Sequence, residues 1–564
     1  MSRLSLPVRM FLILIIAAAI AVIWLAERSV EHLVLAIAAL CFGAAALLLA
    51  VADLERAILL AVILAIAIFA ASHVKYGHSG LKLLVTDLPL LFAGTTPFFL
   101  VQYPLAVAGV VVGGMALVLA GGAIILYASG TPVLLETRIL ILVSASIGLV
   151  LATRAGDGAA SCLRLVTRRR GFLSTFVASL LDPNSWQTFR GLTMSDIARE
   201  PLPLLAAVPA RTPTFPDIII IQHESIFDPR IYGLPVEPTV EAFLSPPNGL
   251  YGRLNVDIFG GGSWQSEFSV LTGLSSASFG SSAYHLFTRG VGRFRNSLPQ
   301  TLSGLGYETM LASSCRRNFL NYDAFYGSIG MGARLFTDDL PPPFDVARFE
   351  TTHSDAQFLP AAIGAFAERI DGHDAPRFLY ALTNFNHGPH NRRLVPPEQF
   401  ERERAFATAS LPDVLYAEYY ARLAETATTW ARLKSELSAR FPERKMLIVH
   451  YGDHQPVMTR RIEPSLKLPA DAKRQFRTFY AIEALNFAAG EFNPGHGPDL
   501  DIAFLGTQAL LQAGLPLDAI FATRASLMTQ CGDAYFASSS ETKRRFHRTL
   551  VELGAIDLGV ATRP

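Results

Sequence analysis

Charge is what the first 150 residues of this 564-residue chain lack: thirteen Asp, Glu, Lys or Arg stand there, against 82 in the remaining 414. A stretch so poor in charge makes a poor water-facing surface, so it reads as membrane and the remainder as a soluble domain. An excess of either sign is missing as well. The net charge is +1 and 51% of residues are hydrophobic, which excludes a disordered chain and leaves no basic footprint for nucleic acid. Cysteine is scarce too, with Cys41 in an apolar run and Cys162, Cys315 and Cys531 beyond it, and no metal-binding spacing among the four. An oxidising compartment would permit a Cys315 to Cys531 bridge, a question that separation in sequence does not decide.

What the first part does have is apolar length. Residues 10–26, 33–52 and 57–72 are charge-free runs near the length that crosses about 30 Å of hydrocarbon. A fourth lies within residues 97–128 and a fifth within 139–152, so the expectation is five spans. The first is not a cleavable signal peptide, because Trp24, Ala26, Glu27 and Arg28 make a poor small-residue cleavage site and further spans follow. Arg3 and Arg9 favour a cytoplasmic start, and an odd number of spans then places everything after residue 155 outside the cytoplasm. Arg164, Arg168, Arg169 and Arg170 oppose this orientation unless their segment, with Phe172, Phe176 and Leu180, lies along the membrane with arginines at lipid headgroups. The expected organisation is a transmembrane domain over 1–155, an interfacial helix and proline-rich linker over 156–215, and a catalytic domain outside the cytoplasm over 216–564.

Pro183, Pro201, Pro203, Pro209, Pro213 and Pro216 make the linker an extended connector. After it, residues 218–221, 378–382 and 446–449 are short β-branched or apolar runs that read as buried strands of a parallel sheet. Residues 413–437 carry Tyr416, Tyr420, Leu423 and Trp430 on one helical stripe. Strands alternating with helices predict a doubly wound α/β domain with its ligand site at the carboxyl ends of the strands. Glu224, His387, Asp453 and His454 each stand just past the end of such a strand. Residues 460–564 carry no motif and read as the last strands with covering helices.

The stretch from 259 to 274, FGGGSWQSEFSVLTGL, puts Ser263 after three glycines and before a helical run. Two readings stand for it: a nucleophile at a helix mouth, where free N–H groups favour phosphate or alkoxide, and an ordinary capping serine. Asp453 and His454 in YGDHQP can share one ion only across a sharp turn, which Gly452 permits. His387 and His390 in NFNHGPHNRR sit in a Gly-Pro turn that holds their rings near a cleft surface, or else form an ordinary polar loop. Arg316 and Arg317 in SSCRRNF are either a phosphate clamp or a solvated edge.

Together these motifs, IIIIQHES, GGGSWQSEF, TNFNHGPH and LIVHYGDHQP in that order behind five spans, resemble the lipoteichoic acid synthase and phosphoglycerol transferase family of the alkaline phosphatase and sulfatase superfamily. The resemblance implies that Glu224, Ser263, Asp453 and His454 hold one divalent metal and that His387 faces the substrate. Three oxygen ligands and one nitrogen suit manganese best, with magnesium or zinc as alternatives. A metal-bound hydroxyl loses its proton readily, so Ser263 becomes the nucleophile toward a phosphodiester.

Two departures stand out. Serine replaces the family's usual threonine at 263, which keeps an alkoxide. Ser313, Leu320 and Tyr322 occupy positions where the synthases carry a His and a Trp-x-Arg set, leaving Arg316 or Arg317 to supply the lost charge. A formylglycine sulfatase is not indicated, because Gln265 stands where its conversion signal needs proline. The expected activity is transfer of phosphoglycerol from phosphatidylglycerol, or another phospholipid donor, to an envelope glycan by an enzyme of the inner membrane. The alternatives are phosphoethanolamine transfer to lipid A or glycan, and a catalytically silent envelope scaffold or sensor.

Overall fold

Four of the apolar stretches fold as long helices: α1 (Val30–Val51), α2 (Leu54–Ser79), α3 (Pro104–Tyr127) and α4 (Leu135–Arg154). The computed structural model describes residues 17, 21–27, 29–79, 82–92, 104–127, 132–154, 170–182, 192, 194 and 196–559, except 318, 341–343, 345–352, 371–373, 397, 536, 537 and 539. Among them, four helices are long and apolar enough to cross a membrane. Of the first expected span only residues 17 and 21–26 are described, all helical, and Arg3, Arg9, Cys162, Arg164, Arg168 and Arg169 lie outside the described residues.

Residues Met1–Phe189 form one compact unit and Arg190–Pro564 a second. At one end of the first unit the Gly171 N–H donates to the Ala26 carbonyl at 3.0 Å, and at the other the Val133 N–H donates to the Ala52 carbonyl at 2.8 Å. Among the described residues, four long apolar helices lie between Ala26 and Gly171 in sequence, in keeping with these two residues meeting at one end.

The helix α5 (Phe172–Leu181), the segment expected to lie along the membrane, packs within the first unit. It is buried against α1 and α2 over most of its length. The reason is that Ser174, Thr175 and Ser179 give its inner side polar partners. The Glu27 carboxylate accepts the Leu173 N–H at 2.8 Å and the Ser174 hydroxyl at 2.5 Å. The Lys82 ammonium donates to the carbonyls of Arg170 and Gly171 and to the Thr175 hydroxyl at 2.9 Å.

In the second unit, residues 218–221 lie at the middle of a nine-stranded sheet, where β-branched side chains fit an extended backbone covered on both faces. The strands are β1 (Asp217–His223), β2 (Gly249–Asn255), β3 (Glu308–Ser313), β4 (Ala333–Phe336), β5 (Arg377–Leu382), β6 (Met446–Gly452), β7 (Arg477–Leu485), β8 (Gly495–His496) and β9 (Leu500–Asp501). They run in the order β4-β3-β5-β1-β6-β7-β2-β8, with β9 also paired to β2. The first five are parallel and β7 is antiparallel to both its neighbours. Ile219 stands level with Leu379 of β5 and Ile448 of β6. Alternation then sends Ile218 and Ile220 into one core with Phe268, Val449 and Tyr451, and Ile219 and Ile221 into the other with Met446, Ile448 and Trp430.

Two helices matter most to the site. α6 (Trp264–Thr272) follows the glycine run, and α7 (Val414–Arg440) covers the second core, started by the Asp413 carboxylate, which accepts the N–H groups of Leu415 and Tyr416. The described stretch 196–216 of the proline-rich connector carries no helix and is tied into the second unit. The Ala198 N–H donates to the Arg544 carbonyl at 3.0 Å, the Leu202 N–H to the Thr549 hydroxyl at 2.8 Å, and Val208 bridges Leu517. The proline neighbours lack an N–H, so these residues between them carry the bonds.

Candidate metal and nucleophile site

Gly260, Gly261 and Gly262 take φ values of 79°, 150° and 91°, which side-chain-bearing residues rarely adopt. The turn they make delivers Ser263 to the first position before α6. Its hydroxyl makes no capping bond there. Instead Oγ donates to Glu224 Oε2 at 2.7 Å and lies 3.3 Å from His454 Nε2. Of the two roles a serine has at this position, the side chain is committed to the carboxylate.

Glu224 leaves the end of β1, and Asp453 and His454 leave the end of the adjacent β6, so neighbouring parallel strands bring them together. Gly452 allows the approach: a Cβ there would lie 1.7 Å from the Ile226 carbonyl oxygen. Asp453 Oδ1 accepts the N–H groups of Ser225 and His454, each at 2.7 Å. His454 Nδ1 lies 3.1 Å from the Gln455 carbonyl and donates its proton to it, which turns Nε2 toward Glu224 Oε1 at 3.2 Å. Gln455 is held in turn by the Tyr232 hydroxyl at 2.6 Å and by its own donation to the Arg477 carbonyl at 2.6 Å.

Crowding of buried charge sets the protonation states. Burial and the Glu224 charge push Asp453 up to about 7. Burial alone would raise Glu224, but His454, His387 and the Ser263 bond hold it down to about 2. Burial opposes a charge on His454 too, yet the two carboxylates push it up to about 9. One ligand atom from each of Glu224, Asp453 and His454 falls within 4.8 Å of the others, all three residues are buried, and Asp453 Oδ2 has no hydrogen-bond partner. Two carboxylates, one of them with an orphaned oxygen, and one imidazole drawn this close together fit a divalent cation.

The remaining candidates divide. His387 is half-buried, with Nδ1 2.5 Å from the Gly388 carbonyl, and its charge acts on Glu224. His390 is buried instead. Its Nε2 lies 2.9 Å from the Asn386 carbonyl and its ring packs on Tyr419, so it holds the loop's shape. Arg317 is engaged by Asp323 at 2.8 Å and Asp339 at 2.6 Å, and stacks over Phe336; Arg316 lies 3.9 Å from Asp338. Ser313, Leu320 and Tyr322 are buried. Cys315 and Cys531 are free thiols, and Cys315 accepts a bond from Asn384.

Arg422 escaped sequence reasoning. Fully buried in α7, it donates to the carbonyls of His387 at 3.0 Å and Arg392 at 2.7 Å and pairs with Glu418 at 3.3 Å, so it braces the whole histidine loop. The one available signal was Glu418 and Arg422 four apart on the buried stripe, where a charge needs a partner.

Residues 216–478 match the sulfatase family model. An uncharacterized protein of Haemophilus influenzae is 24% identical over 334 residues, which cover 58% of this chain and 59% of that protein. The match therefore spans about three fifths of the relative's length. Among solved structures, the lipooligosaccharide phosphoethanolamine transferase A (EptA) of Neisseria meningitidis, an integral membrane protein, is 12% identical with a TM-score of 0.52, covering 88% of this chain and 95% of its own. The phosphoglycerol transferase GacH of Streptococcus pyogenes, in complex with sn-glycerol-1-phosphate, is 16% identical with a TM-score of 0.45, covering 61% and 90%.

Proposed function

We propose, from the match of residues 216–478 to the sulfatase family model, that this chain is a membrane-anchored, metal-dependent transferase. It moves a phosphoglycerol group from phosphatidylglycerol to a hydroxyl of a cell-envelope glycan, with its second unit outside the cytoplasm. The observation that carries the reading is the Ser263 hydroxyl, which leaves its helix uncapped and bonds Glu224 beside His454. A capping serine has no reason to do so.

Glu224, Ser263, Asp453 and His454 would hold the cation, which when bound lowers the pKa of the hydroxyl and offsets charge on the phosphodiester. The chain's own groups do the rest. Glu224 Oε2 orients the Ser263 hydroxyl, whose proton passes to solvent, and the N-terminus of α6 favours the alkoxide that remains. Ser263 Oγ forms a bond to phosphorus while the bond to the diacylglycerol oxygen breaks, and His387 gives that oxygen its proton. An acceptor hydroxyl, its proton taken by the His387 that has just given one up, then attacks the same phosphorus, and Ser263 leaves as the alkoxide. His454 is turned toward the hydroxyl by the Gln455 carbonyl and needs no rearrangement.

Phosphoethanolamine is the second headgroup to consider, because the full-length fold likeness is to a phosphoethanolamine transferase. The deciding experiment incubates purified full-length protein with Mn²⁺ and either phosphatidylglycerol or phosphatidylethanolamine and measures diacylglycerol. Release from phosphatidylglycerol, with glycerol phosphate on the Ser263 peptide by mass spectrometry, is the expected result. Release from phosphatidylethanolamine alone reassigns the headgroup. Release from neither, with no bound metal, leaves the silent scaffold.

A further inference from the structure

Beneath the candidate site lies a second set of buried polar side chains that the mechanism does not use. Glu267, one helical turn beyond Ser263, points both carboxylate oxygens into the sheet. Oε1 accepts from the Gln222 amide and the Tyr322 hydroxyl, each at 3.2 Å, and Oε2 accepts a short bond from the Tyr326 hydroxyl. Gln222 Oε1 in turn accepts from Tyr451 at 2.5 Å and Tyr380 at 3.2 Å, and those two hydroxyls are 2.7 Å apart. All six residues are buried, at 2% exposure or less for each.

The positions of its members give the network its meaning. Gln222 precedes Glu224 by two residues at the end of β1, and Tyr451 precedes Asp453 by two at the end of β6. Gln222 bonds Glu267 and Glu224 bonds Ser263, while the Asp453 carbonyl accepts the Ser266 hydroxyl at 2.7 Å, so both strand ends reach α6. Glu267 is rooted in the helix that begins at Ser263, whose carbonyl accepts the Glu267 N–H at 3.1 Å. The network therefore ties together the three elements that deliver the metal ligands and the nucleophile. Apolar side chains of similar volume would pack this core at less desolvation cost, so stability alone is a poor explanation for six polar groups. A hydrogen-bonded network does what apolar packing does not: it fixes direction.

We propose that Glu267 is a positioning residue, holding Ser263, Glu224 and Asp453 in mutual register through Gln222 and the tyrosines. The proposal rests on the site reading above. Sliding α6 along the sheet breaks the Glu267 bonds, and shifting β1 against β6 breaks those of Gln222 to Tyr451.

The test uses the full-length protein in detergent and three variants. Glu267→Gln keeps the shape but turns an amide donor toward the tyrosine hydroxyls. Tyr451→Phe removes one hydroxyl and keeps the ring, and serves where Glu267→Gln lowers the yield of folded protein. Tyr307→Phe is the control, since its buried hydroxyl donates to the Pro216 carbonyl at 2.7 Å, before the start of β1. The first readout is hydrogen exchange in peptides spanning 217–224, 263–272 and 446–454. Glu267→Gln and Tyr451→Phe are expected to raise exchange in all three together, and Tyr307→Phe only at the start of β1.

The second readout is Mn²⁺ affinity and turnover. Affinity should fall by about tenfold or more in the first two variants, as for other residues that orient metal ligands, and kcat should fall with the phospholipid KM unchanged. Exchange confined to the substituted element, or metal affinity no worse than in Tyr307→Phe, overturns the proposal. A wild-type protein that neither binds a divalent cation nor releases diacylglycerol sinks the transferase reading instead. The exchange pattern then still decides whether the network couples the three elements.

Discussion

Ser263 stands where a capping serine stands, and its hydroxyl caps nothing. Losing a true cap costs about 0.5–2 kcal/mol and frays the first turn. Ser263→Ala should instead leave hydrogen-exchange protection of α6 unchanged and lower turnover by about a thousandfold or more. Ser263→Thr, which keeps the hydroxyl, should retain part of the activity. Normal turnover in the alanine variant returns this serine to an ordinary role. A second residue makes a prediction about pH. Burial and the nearby Asp355 charge push Glu425 up to about 8 from 4.5. An acid raised in the folded state contributes stability that is full below about 4.5 and is lost as pH rises through about 8. Glu425→Gln should therefore stabilise the second unit by a few kcal/mol at about pH 9 and not at about pH 4, read by pulse proteolysis of the full chain. An equal effect at both ends would mean that Glu425 is uncharged throughout. Sequence made the motif residues legible because their chemistry is local, a glycine turn or a strand end. Glu267 and Arg422 were not, because each takes its meaning from partners brought in by distant elements.

At the scale of the element, the junction of β6 and its following turn is set by one glycine. Gly452→Ala forces a Cβ onto the Ile226 carbonyl, so β6 and the segment after β1 must separate. The expected cost is at least the about 1–3 kcal/mol of overpacking, together with loss of metal binding as Asp453 moves from Ser225. Denaturation midpoint and Mn²⁺ titration check this, and an alanine variant that binds metal normally would show that the turn has room. The three central strands were legible because continuous apolar runs have few other uses. β2, with the sequence GLYGRLN, was not: two glycines and an arginine interrupt any alternation, and its partner β7 lies in the stretch without motifs. The packing of α5 within its unit was not legible for a related reason. Its phenylalanines suggested a lipid surface, whereas Ser174, Thr175 and Ser179 carry the contacts that bury it.

Over the whole molecule, the sequence argues orientation from Arg3 and Arg9, and among the described residues the fold adds that four long apolar helices lie between two segments that meet at one end. Ala26 and Gly171 meet, and Ala52 and Val133 meet at the other end of the helices. A reporter active only outside the cytoplasm should therefore work when fused at Pro213 or after Pro564 and stay silent at Pro132. A signal at Pro132 together with silence at the other two would invert the orientation and place the candidate site on the wrong side for the proposed donor.

The strap of residues 198–208 also carries a consequence in time. A nascent chain emerges in order, so the strap appears early, while its partners at Leu517, Arg544 and Thr549 are made more than 300 positions later. Until translation reaches them, Ala198, Leu202 and Val208 have no bonds to make and the second unit cannot close. A ribosome that stalls before residue 541 releases a chain with a complete glycine turn and all four metal-directed residues, but with an open flank. Such a chain would be an early target for proteolysis, before any defect at the candidate site could be seen.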